Sequence, residues 1–392
     1  MDVRKSKILH ITKYYYPFLG GIEQVTRDIV KVFVETGAEQ KVICFNEDAA
    51  DGKLICKHNE SVLDFVDGVE VFRCGYCIKF ASQTLPTKYG SELKKIINEF
   101  NPDLVIFHYP NPFASHYLLK HKNKKFKLLV YWHLDITRQK ILKHLFYYQI
   151  LALIKRSDKI LGATPKNLDE SDFARFFGSK KSMLPLMVNE QNLVMTNDEI
   201  ELSTRIKQKY AGKIICFFLG RHVHYKGISY LIDASKELKN ENIKFIIAGK
   251  GELTESLKAK AKNDQKIEFI GLISDLEKRA YLHACDIFCF PSITKNEAFG
   301  IALAEGMYFG KPAVTFTIAG SGVNYVNLNG VTGIECPNCD YRAYARAIKK
   351  LSDDVTLREK MGKAARQRIL DNFTTEQFKK NVLSLVAFRC LA

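Results

Sequence analysis

The sequence predicts an α/β protein built from two Rossmann-like domains, and three observations lead to this prediction. The chain has 392 residues, which is too long for one typical domain and fits two. Apolar strand-like runs alternate with helix-like segments, as is typical of doubly wound sheets. The alternation lapses once, in a polar stretch around residues 190–210, and then begins again. We therefore predict an N-terminal domain over residues 1–190 and a C-terminal domain over residues 191–374, with a helix of about residues 375–392 packing back on the first domain.

Apolar runs and helical periodicity define the elements of the N-terminal half. Short apolar runs between polar or glycine-containing stretches predict buried strands. The predicted strands are KILHIT (7–12), VICF (42–45), VEVFRC (69–74), DLVIFH (103–108), KLLVYW (127–132) and KILGAT (159–164). Apolar spacing predicts helices from about Ile22 to Thr36 and over residues 90–100.

The C-terminal half repeats the alternation without repeating the sequence. Its predicted strands are KIICFFLG (213–220), KFIIAG (244–249), KIEFIG (266–271), CDIFCF (285–290) and PAVTF (312–316). Its predicted helices cover residues 227–239, 252–263, 275–284 and 298–308, followed by a long amphipathic helical tail. Ligands of such sheets bind at the carboxyl ends of the strands. In a two-domain arrangement we expect those ends to face each other across a cleft.

Composition excludes several classes of protein. No apolar run approaches the roughly 18 residues of a membrane-spanning helix. The N-terminus MDVRKSKILHIT is predicted to be a first strand and not a signal peptide. Ten cysteines are compatible with a reducing compartment, so we expect a cytoplasmic protein. The pairs Cys74/Cys77 and Cys336/Cys339 have zinc half-site spacing but no histidine at ligand spacing, so no metal site is predicted.

The net charge of +16 is unevenly distributed. Residues 120–160 contain eleven Lys or Arg residues against Asp135 and Asp158, around the apolar stretch KHLFYYQILALIKR (143–156). Such a segment could dock on an anionic membrane surface, or it could be a buried helix with solvated ends. Nucleic acid is not a predicted partner, because no recognisable nucleic-acid-binding motif is present.

Glu297 and Glu305 stand eight residues apart in NEAFGIALAEGMYFGKPAV. If the helix begins near Ala298, Glu297 precedes its first turn and Glu305 lies about two turns in. Between them, the backbone N–H groups of Phe299, Gly300 and Ile301 would be the unpaired donors of a helix N-terminus, which binds phosphate. Carboxylates on either side could accept hydrogen bonds from hydroxyl groups, so the segment suits a nucleotide diphosphate sugar. The alternative is that both glutamates only stabilise the helix dipole.

Three further loops follow predicted strands of the same half. LGRHVHYKG places Arg221 and Lys226 where cations could converge on a diphosphate, although either could be a solvated loop cation. IIAGKGEL carries Gly249 and Gly251, which permit close backbone approach to a ligand. TIAGSGVNYV (317–326) is a third glycine-containing loop that could wrap a phosphate or simply turn.

The N-terminal half offers two candidate sites at strand ends. Gly20 and Gly21 precede the first helix, so their N–H groups could meet an anion or hydroxyls, although no dinucleotide-binding fingerprint is present. WHLDIT ends another strand with His133, which could hydrogen-bond a ligand hydroxyl with Asp135 as its orienting partner. A core histidine is the alternative, and His108 is a similar but weaker candidate.

These motifs together resemble one known family. The succession GRHVHYKG, AGKGE, EAFGIALAEGMYFGKPAV and NGVTGIECP is similar to the retaining glycosyltransferases of family 4, which have the GT-B fold. The segments YYYPFLGGIEQ and WHLD resemble the acceptor domain of that family, so the resemblance covers nearly the whole chain. Two positions depart from the family pattern: Asn189 stands where an aspartate is common, and Ser321 where a second glycine is common.

The resemblance implies roles for residues of the donor domain. Arg221 and Lys226 would neutralise the donor diphosphate, Glu305 would bind the ribose hydroxyls, and Glu297 would contact the transferred sugar. Phe299, Gly300 and Ile301 would supply backbone N–H groups. In the acceptor domain, His133 would reach the donor sugar, and Gly20 and Gly21 would form the glycine loop near phosphate and acceptor.

The implied reaction is hexosyl transfer with retained configuration, without cofactor or metal, to a glycan or lipid-linked acceptor of surface polysaccharide or lipopolysaccharide assembly. GDP-mannose is the first expected donor, and a UDP-sugar is the alternative. The basic 120–160 segment fits a lipid-linked acceptor at the inner membrane face. The competing classes are a protein that binds sugar nucleotides without catalysis, and an epimerase or phosphorylase of the same fold.

Overall fold

The computed structural model describes residues 6–18, 20–47, 53–80, 83–86, 88–121, 125–136, 146–239 and 242–387. The chain forms two compact units. The first comprises Met1–Ala163, Asn167–Leu184 and Lys379–Ala392, and the second comprises Thr164–Lys166 and Pro185–Phe378.

The first unit is organised around an eight-stranded sheet. Its strands are β1 (Lys7–Ile11), β2 (Glu39–Phe45), β3 (Val62–Val66), β4 (Val69–Cys74), β7 (Leu104–Tyr109), β8 (Lys127–Trp132), β9 (Lys159–Gly162) and β10 (Lys181–Met183), while β5 (Tyr76–Phe80) and β6 (Gln83–Pro86) pair separately. The order is β10-β9-β8-β7-β1-β2-β4-β3. All pairs are parallel except β3 with β4.

Helices cover both faces of this sheet. They are α1 (Gly21–Thr36), α2 (Tyr89–Phe100), α3 (Pro112–Lys120), α4 (Tyr147–Arg156), α5 (Pro165–Asp169) and α6 (Ala174–Phe177). Alternation of side chains along the strands separates two cores. Leu9, Val105 and Trp132 pack with α2, α3 and α4 on one face, whereas Val42 packs with Val30 of α1 on the other.

The second unit contains a six-stranded, fully parallel sheet. Its strands are β11 (Ile214–Leu219), β12 (Ile243–Ala248), β13 (Ile267–Gly271), β14 (Ile287–Phe290), β15 (Ala313–Phe316) and β16 (Gly333–Cys336), in the order β13-β12-β11-β14-β15-β16. Its helices are α7 (Asn197–Lys209), α8 (Ile228–Glu237), α9 (Thr254–Ala261), α10 (Asp275–Ala284), α11 (Ile301–Tyr308), α12 (Val323–Val326), α13 (Tyr341–Asp353) and α14 (Val355–Asn372). The last helix, α15 (Thr375–Ala387), begins in the second unit, but from Lys379 onward it belongs to the first. The sequence-based prediction of two Rossmann-like domains is confirmed.

The sequence did not predict β3, β5, β6, β10 or β16, and it placed the start of one helix wrongly. Helix α11 begins at Ile301 and not near Ala298, because Gly300 at its N-cap has a φ of +88°, a left-handed conformation that interrupts the helix. The predicted helical tail consists of three helices. Asp354 separates α13 from α14, and its carboxylate caps α14 by accepting a hydrogen bond from Leu357 N in the first turn. None of the helices within the described residues is long and apolar enough to cross a membrane.

Candidate active site

The sheet of the second unit has a topological switch point between β11 and β14. The chain runs outward from β11 through β12 to β13 and then returns to the other side of β11 to form β14. Loops that leave the carboxyl ends of two such strands diverge, and ligands bind in the crevice between them. The loop after β11 carries Arg221 and Lys226, and the loop after β14 carries Glu297. The topology therefore brings these three predicted residues to one edge of the sheet.

Lys226 and Glu297 form an ion pair across the switch point. Lys226 Nζ donates to Glu297 Oε2, and each side chain is only 12% exposed. Ser292 Oγ donates to the same carboxylate oxygen at 3.2 Å, and Ser321 Oγ donates to the backbone carbonyl of Glu297. Two neighbouring loops thus hold Glu297 in a fixed orientation. Solvent screens the charges of such a half-enclosed pair less than those of a surface pair. The stronger attraction means that Glu297 also orients the Lys226 side chain.

Glu305 has its own cationic partner on a neighbouring helix. Lys278 Nζ of α10 donates to Glu305 Oε1 at 3.0 Å, and the two side chains are 20% and 16% exposed. Burial alone would lower the pKa of Lys278, but the carboxylates of Glu305 and Asp275 outweigh it and raise that pKa. Sequence reasoning missed Lys278, because an isolated lysine in an amphipathic helix carries no motif.

The predicted anion cradle between the two glutamates differs from the expectation. Since α11 begins at Ile301, the free N–H groups of its first turn start there, and Phe299 lies outside the helix. The Phe299 side chain is buried, with its ring edge-on to Phe373 at 5.3 Å between centroids. Glu305 lies about one turn into the helix and not two. Of the three predicted donors, only Ile301 belongs to the first helical turn.

Gly249 and Gly251 allow the loops after β11 and β12 to interlock. A Cβ atom on Gly249, whose φ is +120°, would lie 2.0 Å from the carbonyl oxygen of Gly220. A Cβ atom on Gly251 would lie 2.5 Å from the carbonyl oxygen of His222. The contact is held by a 3.2 Å hydrogen bond from His222 N to the Lys250 carbonyl. Both glycines therefore shape the loop that carries Arg221, whatever ligand they approach.

Arg221 itself is exposed at this edge. Within the described part of the chain, its guanidinium has no hydrogen bond or ion pair, in contrast to Lys226. An exposed guanidinium without a partner keeps its planar donor fork available for an anion such as a diphosphate.

Gly20 and Gly21 lie at the start of α1 in the first unit. Gly20 is the N-cap residue and both glycines lie near the surface. The buried carboxylate of Glu23 reaches toward this end of the helix: a Cβ atom on Gly20 would lie 2.3 Å from Glu23 Oε2. A carboxylate thus lies close to the first glycine of the predicted loop.

His133 pairs with a histidine of the neighbouring strand and not with Asp135, so the predicted His–Asp pairing is wrong. The Asp135 carboxylate accepts hydrogen bonds from Trp132 Nε1 at 2.9 Å and from Ser171 Oγ at 2.8 Å. His133 Nε2 instead lies 3.0 Å from His108 Nδ1. Burial lowers the pKa of His133 to about 3 and that of His108 well below its ordinary value. Both rings are therefore neutral at physiological pH.

Of the two CxxC pairs, only Cys336/Cys339 lies wholly within the described residues. No group of three or more His, Cys, Asp or Glu side chains there could hold a metal ion. Cys74 and Cys336 are buried and Cys339 is half-buried, whereas the side chain of Cys77 lies outside the described residues. The predicted membrane segment is also only partly described, because residues 122–124 and 137–145 lie outside the described part of the chain.

Comparison with known proteins agrees with this architecture. Residues 19–170 match the family described as Glycosyltransferase Family 4, and residues 199–368 match the family described as Glycosyl transferases group 1. Together the two matches cover most of both units. The chain is thus a glycosyltransferase of the GT-B fold. More closely, it belongs to glycosyltransferase family 4, and the resemblance noted in the sequence is confirmed.

Individual relatives are similar over almost the whole chain. D-rhamnosyltransferase WbpZ of Pseudomonas aeruginosa is 28% identical over 373 residues, which are 94% of this chain and 92% of WbpZ. O-antigen chain mannosyltransferase C of Escherichia coli is 26% identical over 373 residues, 94% of this chain and 95% of that protein. The crystal structure of Anabaena Alr3699/HepE in complex with UDP has a TM-score of 0.76 at 14% identity and covers 97% of this chain and 100% of its own.

Proposed function

We propose that this glycosyltransferase moves a hexosyl group from a nucleotide diphosphate sugar to a glycan or lipid-linked acceptor in surface polysaccharide or lipopolysaccharide assembly. The observation that carries the proposal is the ion pair of Lys226 and Glu297 at the switch point, with Arg221 exposed beside it. Cations that lie at a strand edge next to carboxylates suit a ligand with both phosphates and hydroxyls. Relatives named as a rhamnosyltransferase and a mannosyltransferase support the reaction class.

In the proposed reaction the bond between the anomeric carbon and the diphosphate oxygen breaks. The acceptor hydroxyl oxygen bonds to the anomeric carbon from the leaving-group face, so the configuration is retained. The hydroxyl proton passes to a phosphate oxygen of the departing nucleoside diphosphate. Arg221, Lys226 and the N-terminus of α11 stabilise the negative charge that develops on that diphosphate. Fixed cations do this without a metal ion, so we expect a chelator to leave turnover unchanged.

Glu297 and Glu305 are proposed as readers of hydroxyl groups. A carboxylate held by Lys226 and Ser292 accepts hydrogen bonds from sugar hydroxyls in a fixed orientation, and Glu305 does the same for the ribose. Neither glutamate is proposed as a nucleophile, because the acceptor oxygen is proposed to bond directly to the anomeric carbon, with no covalent intermediate on the enzyme.

The donor is proposed to be GDP-mannose, with a UDP-sugar as the alternative. The mannosyltransferase relative from Escherichia coli favours the first, and the UDP complex of the Anabaena structure is the reason to test the second. Purified protein should be assayed against UDP-, GDP- and dTDP-sugars by thermal shift and by release of nucleoside diphosphate. Stabilisation and turnover with UDP-sugars alone would overturn the assignment of GDP-mannose.

Point variants test the site. Lys226→Ala and Glu297→Ala should each lower kcat/KM for the donor by about 10²-fold or more, since they remove an oriented charge at the reacting group. Lys258→Ala is the matched control, because Lys258 is a half-exposed lysine of α9 that forms an ion pair with Glu255 within its own helix. Wild-type turnover in both site variants would refute the assignment.

Proton NMR of the product tests whether the anomeric configuration is retained, since an inverted configuration would contradict the proposed reaction.

A binding protein without catalysis is the rival function. Such a protein would show a donor-dependent thermal shift but no slow hydrolysis of the donor when acceptor is absent. Hydrolysis that is lost in Lys226→Ala would exclude this rival.

The basic segment 120–160 is proposed to contact an anionic membrane at its cytoplasmic face. Flotation with vesicles of phosphatidylcholine and phosphatidylglycerol should bring the protein up with the anionic vesicles and not with pure phosphatidylcholine. The half-buried helix α4 offers Tyr148, which is 81% exposed, as a side chain at this surface. Equal flotation with both vesicle types would contradict an electrostatic contact.

A further inference from the structure

His108 and His133 form a buried pair at the carboxyl ends of β7 and β8. His108 Nδ1 and His133 Nε2 are 3.0 Å apart, which is a hydrogen-bond distance. The strand register places His108 opposite Tyr131, and the Tyr131 ring stacks on His133 with 4.2 Å between centroids. The Tyr131 hydroxyl donates to the Leu184 carbonyl at 2.6 Å and so fixes that ring. The position of His133 is therefore determined by two neighbouring side chains.

Only one proton can lie between the two rings. Since burial keeps both histidines neutral, one nitrogen of the close pair donates and the other accepts. If His133 Nε2 carried the proton, His108 would need its own proton on Nε2. That atom is buried and has no hydrogen-bond partner among the described residues, and a buried N–H without an acceptor is rarer than a buried acceptor without a donor. The arrangement with the proton on His108 Nδ1 avoids this cost.

We propose that His108 is a positioning residue that donates its Nδ1–H to His133 Nε2 and thereby fixes His133 as the Nδ1–H tautomer. His133 then presents Nδ1–H as a neutral hydrogen-bond donor to a ligand oxygen. It has no free lone pair to take a proton from an acceptor hydroxyl. His133 thus orients a hydroxyl and is excluded as general base. The identity of the ligand rests on the proposed function, but the tautomer does not.

His10 supplies an internal standard for the opposite tautomer. Gln40 Nε2 donates to the Val30 carbonyl at 3.1 Å, so Gln40 Oε1 is an acceptor. His10 Nε2 lies 3.0 Å from that oxygen and must be its donor. His10 is therefore the Nε2–H tautomer, one strand away from the pair.

Nitrogen NMR of protein labelled with ¹⁵N-histidine tests the proposal directly. Spectra of His133→Gln, His108→Phe and His10→Gln assign the three rings, and the shift of each nitrogen tells whether it carries a proton. We expect a protonated Nδ1 on His133 and a protonated Nε2 on His10. In His108→Phe, which keeps an aromatic ring but removes the hydrogen bond, His133 should become a mixture of tautomers. A protonated Nε2 on His133 in the wild type would overturn the proposal, as would an unchanged tautomer in His108→Phe.

Steady-state kinetics give a second measurement, which would not change if the role of His108 were merely structural. His108→Phe should lower kcat/KM by about 10-fold, and His108→Asn should recover most of it, because the asparagine amide can reach the position of Nδ1. No rescue by asparagine, with both variants folded by far-UV circular dichroism, would count against the positioning role. If wild-type protein transfers no sugar from any donor, the proposed function fails while the tautomer measurement still decides this inference.

Discussion

Replacing Gly249 with alanine tests how the donor site is built. The residue has a φ of +120°, which side chains other than hydrogen rarely adopt. An added Cβ would lie 2.0 Å from the carbonyl oxygen of Gly220 and 2.9 Å from its carbonyl carbon. Both are backbone atoms, so the contact cannot be relieved by rotating a side chain. The peptide that precedes Arg221 must move by about 1 Å or more to restore an ordinary contact.

The magnitude follows from two separate costs. Backbone strain at such a φ costs about 1–3 kcal/mol, and forced overpacking costs about 1–3 kcal/mol more. Gly271→Ala is the matched control: its φ is +75°, but a Cβ atom there meets nothing within 4 Å. The control should lose about 1 kcal/mol of unfolding free energy from strain alone. Gly249→Ala should lose more, and in addition it should displace Arg221.

Steady-state kinetics with varied donor separate displacement from general destabilisation. A displacement of 1 Å at a site residue can cost about 10²-fold in rate, so kcat/KM for the donor should fall by that order in Gly249→Ala. In Gly271→Ala it should stay within about 2-fold of wild type. Urea unfolding followed by far-UV circular dichroism confirms that both variants are folded. Equal donor kinetics in the two variants would refute the idea that the Gly249 contact positions Arg221.

Other contacts lead to three further predictions. Arg279→Met should lower the free energy of unfolding by about 2 kcal/mol, since it leaves the Glu199 carboxylate, 1% exposed, without its cation. Urea unfolding followed by circular dichroism should show a loss well above that of a variant in an exposed ion pair. Lys278→Met should raise the donor KM with little change in kcat, because it acts through Glu305, and a fall in kcat alone would contradict this. Between pH 7.5 and pH 5, wild type should lose about 2 kcal/mol more stability than His133→Gln, because a histidine with a folded pKa of about 3 takes up its proton only on unfolding. Fluorescence of the single tryptophan, Trp132, reports this for the first unit, and an equal pH dependence in both proteins would refute it.

The sequence predicted the central strands of both sheets because each of them is a local apolar run. It did not predict β3, β5, β6, β10 or β16, which are short or mixed in polarity. It predicted the start of α11 incorrectly for a physical reason. Phe299, Leu303 and Met307 have helical spacing, but Phe299 is buried by the ring of Phe373 and not by a helical face. Contacts between distant residues can give a loop residue the same apolar character as a helical one. The sequence contains Gly300, which interrupts the helical pattern, but it does not reveal that this residue has a left-handed φ.

The partner of His133 could not be read from neighbouring positions for a similar reason. Asp135 is two residues away in sequence, yet it satisfies the indole of Trp132 and the hydroxyl of Ser171. The actual partner, His108, lies 25 residues earlier and is brought close because β7 and β8 are adjacent in the sheet. Strand order is a property of the whole domain, so a sequence window around WHLDIT does not contain it.

The donor side of the site shows which part of a function a sequence can reveal. Residue types and their place after strands were enough to select Lys226 and Glu297, because carboxyl ends of parallel strands share one edge. Their contact spans 71 residues of chain, since β12 and β13 are inserted between the two adjacent strands β11 and β14. The contact also changes the expected chemistry. Lys226 was predicted as a cation for the diphosphate alone, yet here its charge is balanced by Glu297, so a donor that engages Lys226 must offset that ion pair. The hydroxyls of the transferred sugar can do so by hydrogen-bonding Glu297, which couples recognition of the sugar to binding of its diphosphate.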